Sequence, residues 1–126
     1  MPDTNTNYQI NRDEKYGHST LIDIPAEVAA CELKWLNQTL ASVNESVVRL
    51  GVFEGTFHWH KHDSEDEFFL VLDGELLIDV EGQETVTLGP HQGYAVPAGV
   101  AHRTRASRRT TIVMFEPAGI EPTGDD

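Results

Sequence analysis

The sequence predicts an all-β domain, a sandwich or barrel preceded by an arm and a short helix. Three observations lead there. Beyond residue 46 the chain breaks into short β-type runs, many rich in Val, Leu, Ile and Phe, at 46–54, 56–60, 67–72, 75–80, 84–88, 93–96, 101–105 and 110–116. Turn-forming residues separate them: Asp73-Gly74 and Glu81-Gly82 between apolar runs, then Leu88-Gly89-Pro90 and Pro97-Ala98-Gly99. The 126 residues, with 39% apolar content, are enough for one hydrophobic core and too few for several.

Residues 1–45 are expected to form an N-terminal arm, a short helix and a first strand. The first 23 residues are polar, and only Tyr8, Ile10, Leu21 and Ile22 can anchor them, either loosely on the domain or on a partner. From Pro25 the stretch AEVAACELKWL places Val28, Cys31, Leu33 and Trp35 near helical spacing behind a proline suited to a first turn. The runs TLASV and SVVRLGVF then flank Asn44-Glu45, the pattern of a hairpin. Residues 46–116 form the barrel, its core ending near Phe115, and 117–126 form an acidic tail rich in Pro and Gly.

The formal charge of −12 repels nucleic acid and anionic headgroups, which removes both as expected partners. No apolar run reaches the roughly 18 residues of a membrane span, and the polar N-terminus has no signal-peptide core, so a cytoplasmic address is expected. With a single cysteine, Cys31, any metal must be held by nitrogen and oxygen.

Histidine supplies such atoms. Of six histidines, His58, His60 and His62 fall within five residues, and His102 lies forty residues further on. On an extended strand these three share one face, while Trp59 and Lys61 take the other. Clustered neutral imidazoles inside an apolar barrel are costly as unpaired polar groups, and one shared cation satisfies them together. Glu67 heads the run Glu-Phe-Phe-Leu-Val-Leu, where a carboxylate also needs a partner. The turn Val-Pro-Ala-Gly-Val-Ala fixes where the His102 imidazole points.

These residues carry a family resemblance. Gly55 to Gly74 resembles the first cupin motif: His60-x-His62, four residues, Glu67, six residues, Gly74. Pro97-x-Gly99, two residues, His102 resembles the second. Two positions depart from the pattern, His91 in place of a leading glycine and Ala106 in place of a frequent asparagine, and neither is a ligand position. The stretch from HWHKH to EPAG is also similar to small single-domain cupins labelled mannose-6-phosphate-isomerase-like. The resemblance implies a double-stranded β-helix, a jelly-roll barrel, holding one divalent transition metal (Fe, Mn, Ni, Zn, Cu or Co) on His60, His62, Glu67 and His102. Barrel likeness does not hand over a substrate.

Three neutral imidazoles and one carboxylate leave open positions on a six-coordinate ion, so an oxygenase or an isomerase or lyase acting on a small polar or anionic molecule is expected. The alternatives are a non-catalytic ligand-binding or sensing protein and a barrel that uses metal for stability alone. By strand parity His58 shares the inward face and is a candidate proton donor, orienter or substrate contact, or a mere lining residue. Phe69, Val71, Tyr94 and Val96 point inward, giving a narrow apolar pocket with one phenol, so Tyr94 joins His58 as a catalytic candidate. Arg103, Arg105, Arg108 and Arg109 either rim the mouth and steer an anion or, as alternation favours for Arg103 and Arg105, face solvent. The acidic loop 63–66 is expected to be a solvated turn. Trp59, Phe68, Leu70 and Leu72 lie on the outer face and predict a homodimer packed sheet on sheet.

Overall fold

The computed structural model describes residues 8–125, and the side chain of Tyr8 lies outside that description. The elements are β1 (Tyr8–Asn11), α1 (Ile24–Ala30), β2 (Trp35–Val43), β3 (Ser46–Thr56), β4 (Glu67–Asp73), β5 (Leu76–Val80), β6 (Val86–Leu88), β7 (Gly93–Val96) and β8 (His102–Pro117). Strands run in the order β1-β2-β3-β8-β4-β7, and β5 pairs with both β6 and β8. The all-β expectation holds.

Strand β8 organises the barrel. Its first residues, 102–105, pair with β5, while residues 111–115 pair with β4 and residues 110–117 with β3. Its two ends thus reach opposite parts of one interior. Two runs expected separately, 101–105 and 110–116, are this one strand, because Ala106–Arg109 stay extended beside the irregular register at Phe53–Gly55. The expected run 56–60 is not a regular strand. Gly55 has φ +119, and after Thr56 the chain meets β8 through Phe57 N–H donating to the Thr104 carbonyl and a bridge between His60 and His102.

Alternation decides the two faces. Phe53, Phe69, Val71, Leu76, Ile78, Val80, Val96, Ile112 and Met114 close the inner core, with Tyr94 packed against it. The opposite faces of β2 and β3 present Leu40, Leu50 and Val52, which Tyr16, Ile22, Ile24, Val28 and Cys31 cover. The arm therefore packs on its own chain: residues 8–11 extend the sheet parallel to β2, although Leu21 is exposed and anchors nothing. Residues 1–7 of the arm lie outside the described residues.

Helix α1 starts where Asp23 accepts a hydrogen bond from Ala26 N–H, with Pro25 in the first turn. It ends at Ala30, so Leu33 and Trp35 do not continue it. Trp35 opens β2, whose partner across β3 is Phe53, and the rings stack at 4.7 Å. Apolar periodicity over so short a stretch cannot separate a helix from a coming strand, and packing against Phe53 decided the issue.

The Asp73-Gly74 turn requires glycine. Gly74 has φ +94, and a Cβ there would lie 2.4 Å from Thr110 Oγ1. His91 adopts φ +70, a region glycine favours, at the very position where the motif led one to expect glycine.

Arg103, Arg105 and Arg109 are engaged away from the cavity, and none of the four arginines lines it. Arg103 Nε and Arg105 Nε donate to Asp79 Oδ2 at 2.7 and 2.9 Å, Thr85 Oγ1 donates to Oδ1, and Arg103 also lies over the Trp59 ring. Arg109 donates to the Cys31 and Leu33 carbonyls. Hydrogen bonds from Arg105, Thr85 and Arg103 hold the Asp79 carboxyl well below the ordinary range. Because its folded pKa is depressed, the stabilisation is complete at neutral pH and lost as pH falls below the usual aspartate value near ~3.9. Both guanidiniums are about a third exposed and screened. Asp79→Asn is accordingly expected to cost about 1 kcal/mol in urea unfolding at pH 7. That deficit should shrink below about pH 4, and one that persists unchanged at lower pH contradicts the ion-pair account.

Candidate metal centre

His60, His62, Glu67 and His102 come together at one place inside the barrel. One potential ligand atom from each lies within 4.8 Å of the others. Glu67 heads β4, and His102 heads β8. His60 sits opposite His102 in an antiparallel bridge, with N–H to carbonyl bonds of 2.9 Å in both directions. The His62 carbonyl accepts from Gly99 N–H at 2.7 Å, and Asp66 accepts from Ala98 N–H, so the acidic loop and the Pro-Ala-Gly turn brace each other.

The imidazoles are aimed. Nδ1 of His60 is 3.0 Å from the His58 carbonyl, and Nδ1 of His102 is 3.0 Å from the Val100 carbonyl. In a neutral ring this fixes the proton on Nδ1 and leaves the Nε2 lone pair facing inward. Nε2 of His102 and of His62 lie 3.2 and 3.3 Å from Glu67 Oε1. His62 is fully buried, yet neither ring nitrogen makes a hydrogen bond. Such a group is expensive unless something coordinates it, and a cation with bonds near ~2.1 Å can draw this set together. The donor set fits a divalent transition metal.

Burial acts on each group differently. It pushes the His60 imidazole down to about 4, against the pull of the His58 carbonyl, so this ring is neutral at pH 7. Burial alone would raise the Glu67 carboxyl, but the neighbouring His102, His62 and Glu116 side chains outweigh it and hold Glu67 ionised. For His102, burial is likewise outweighed by Glu67 and the Val100 carbonyl, and its pKa rises.

Two further residues belong here that sequence reasoning missed. Glu116 is buried, and burial together with the Glu67 charge pushes its carboxyl up to about 9. Arg49 is buried beside it, Nε to Oε2 3.2 Å. The signal was parity: Phe68 pairs with Phe115, which sets Glu116 opposite Glu67, and Ile112, Met114 and Glu116 share the inner face. Glu116 lies just past Phe115, the expected end of the core, where no apolar pattern marks its direction.

The tail also belongs to the site. Ile120 is fully buried, and Pro122 lines a cavity of about 60 Å³ beside His60 and Glu67. Trp35, Phe53, Phe57, Phe69, Ile112 and Met114 supply most of the remaining wall, with Asn37 and Thr104 among its few polar members. His58 is exposed and its Nε2 meets the Thr123 carbonyl at 2.8 Å, so it stands beside the ligand group. Tyr94 turns its hydroxyl to Gln83 Oε1, 3.4 Å away, and is not among the cavity's lining residues. Arg49→Met is expected to destabilise the protein by about 3 kcal/mol, since it removes the guanidinium beside Glu116 and with it a positive charge that acts on the buried Glu67 carboxylate. Unchanged stability in chemical denaturation contradicts that pairing.

Comparison with known proteins agrees with this fold. Residues 46–116 match the Cupin domain family model. Over 83 residues the chain is 43% identical to the uncharacterized protein YdbB of Bacillus subtilis strain 168, covering 66% of this chain and 74% of that one. A cupin-2 domain protein from Shewanella frigidimarina superposes with a TM-score of 0.72 at 31% identity, over 77% of this chain and 94% of the other. Hydroquinone 1,2-dioxygenase from Sphingomonas shares the fold alone, with a TM-score of 0.72 at 18% identity over 81% of this chain and 33% of its own. No described helix is long and apolar enough to cross a membrane. With both motifs in place around one interior and the family model spanning the barrel, the chain belongs to the cupin family.

Proposed function

We propose that this chain is a metal-dependent enzyme of the oxygenase type, acting on a small organic molecule with an apolar body and one or two metal-binding oxygens. The observation that carries the reading is the cavity lining. Among the described residues it contains no lysine or arginine, and its only titratable members are His60 and Glu67, both candidate ligands. Isomerisation or elimination needs a base within hydrogen-bond reach of the substrate. His58 and Tyr94, the expected candidates, are both engaged elsewhere. A sugar phosphate would also need more polar contacts than this wall offers. When bound, a redox-active divalent ion supplies a Lewis acid and electron transfer to oxygen.

The chain's own residues do the rest. Phe53, Phe57, Phe69 and Trp35 exclude water and offer faces to a flat ligand. Asn37 Oδ1 is buried in this wall without a partner, which suits it to accept a hydrogen bond from a ligand hydroxyl or N–H. The absence of a free base is also compatible with ligand binding without turnover, the second reading.

Untagged protein is expected to bind one metal per chain, and the His60→Ala/His102→Ala double variant none. A double variant that keeps its metal sinks the ligand assignment. Anaerobically loaded iron(II) protein, exposed to oxygen with a panel of small phenols, 1,2-diphenols and 1,3-diketones, should consume oxygen with at least one. Asn37→Ala should then lower kcat/KM by about tenfold, the worth of one lost hydrogen bond. Binding of panel members without oxygen uptake assigns the site to sensing. The expected homodimer would use the outer face, where Phe68 and Phe115 rings lie 5.9 Å apart and Phe115 is exposed. Light scattering that returns the monomer mass at micromolar concentration removes it.

A further inference from the structure

Three imidazoles surround Glu67, but only two are braced from behind. His60 and His102 each place Nδ1 on the carbonyl two residues earlier. His62, 2% exposed, has no such acceptor, and its Nε2 is the nitrogen near Glu67. Nδ1, the nitrogen not facing Glu67, is buried without a partner. A buried N–H without an acceptor costs about 1–3 kcal/mol, and metal-binding histidines ordinarily donate this proton to a fixed oxygen.

Two carboxylates stand near. A ring nitrogen of His62 and carboxylate oxygens of Glu65 and Asp125 lie within 4.8 Å of one another. Glu65 Oε1 is buried and, like His62, without a partner. Asp125 is held in place by its neighbours: its N–H donates to the Lys61 carbonyl at 2.8 Å, and its Oδ2 accepts from Asp63 N–H at 2.7 Å, leaving Oδ1 available. The segment that brings it there crosses the whole histidine run. Thr123 meets His58, and Gly124, with φ +96, packs so closely that a Cβ would lie 2.4 Å from His60 Cβ. The fully buried Ile120 anchors the segment, and Arg12 contacts the Ile120 carbonyl and Glu121.

We propose that the C-terminal segment completes the metal centre: Asp125, together with Glu65, accepts the Nδ1 proton of His62 and aims its Nε2 at the metal. The inference rests on the metal reading above. Glu65 and Asp125 are positioning residues, and they lie outside the 46–116 stretch or outside the four-ligand pattern.

Cobalt(II) titration followed by visible absorption tests this. The Glu65→Ala/Asp125→Ala double variant is expected to bind cobalt tenfold or more weakly, about the usual loss for such partners, with altered band intensities. The metal-free variant should still unfold cooperatively, at a lower thermal midpoint, because it loses the acceptors of the His62 and Asp63 N–H groups. The Glu65→Gln/Asp125→Asn double variant, whose amide oxygens still accept, should keep near-native affinity. A chain ending at Ile120 should resemble Asp125→Ala; if it fails to fold, the point variants carry the test. Cobalt affinity within twofold of wild type in the alanine double variant overturns the proposal. So does a second cobalt equivalent that wild type binds and this variant loses, because a cation would then occupy the cleft. Wild type that binds no cobalt fails the metal reading itself, a separate result.

Discussion

A buried carboxylate has to be met by positive charge or by hydrogen-bond donors, and Glu67 imposes that demand on the barrel. Its answer comes from every side: imidazoles of His62 and His102, the protonated Glu116, and beyond it the Arg49 guanidinium. These partners are scattered over nearly seventy positions of sequence, from Arg49 to Glu116, and only a closed sheet brings them together. Strand β8 is what closes it, carrying His102 at one end and Glu116 near the other, so a single long strand reaches Glu67 twice.

The barrel is built around two cores. The inner one surrounds polar machinery and keeps water from it, which strengthens every electrostatic contact inside. The outer one, on β2 and β3, is apolar packing under the helix and arm, and it holds those strands against β8. The surface charges follow separate rules. Asp79 with Arg103 and Arg105 is an outward cluster that stabilises the β5–β8 pairing, not an anion funnel.

Much of this was legible in the sequence, for reasons of local periodicity. Period-two alternation placed Phe69, Val71 and Val96 inside, and motif spacing placed the four candidate ligands together. What escaped were features set by register and long-range contact. Glu116 is inward only because Phe68 faces Phe115 across two strands 47 residues apart. Trp35 is a strand residue because Phe53 stacks on it. The tail, rich in Pro, Gly and acid, carries no local signal of order, yet Ile120 is buried and Asp125 reaches the Lys61 backbone. Side-chain direction along the histidine run was half right, since loss of regular pairing after Thr56 leaves His60 and His62 inward and His58 exposed.

The central claim is that the Glu67 environment is built to hold one metal ion. Anomalous diffraction from crystals of the metal-loaded protein, collected on both sides of the metal's absorption edge, addresses it directly. The account predicts one strong peak per chain, within about 2.2 Å of nitrogen atoms of His60, His62 and His102 and of a Glu67 oxygen. A loaded crystal with no peak there, or with its peak on other residues, would contradict it.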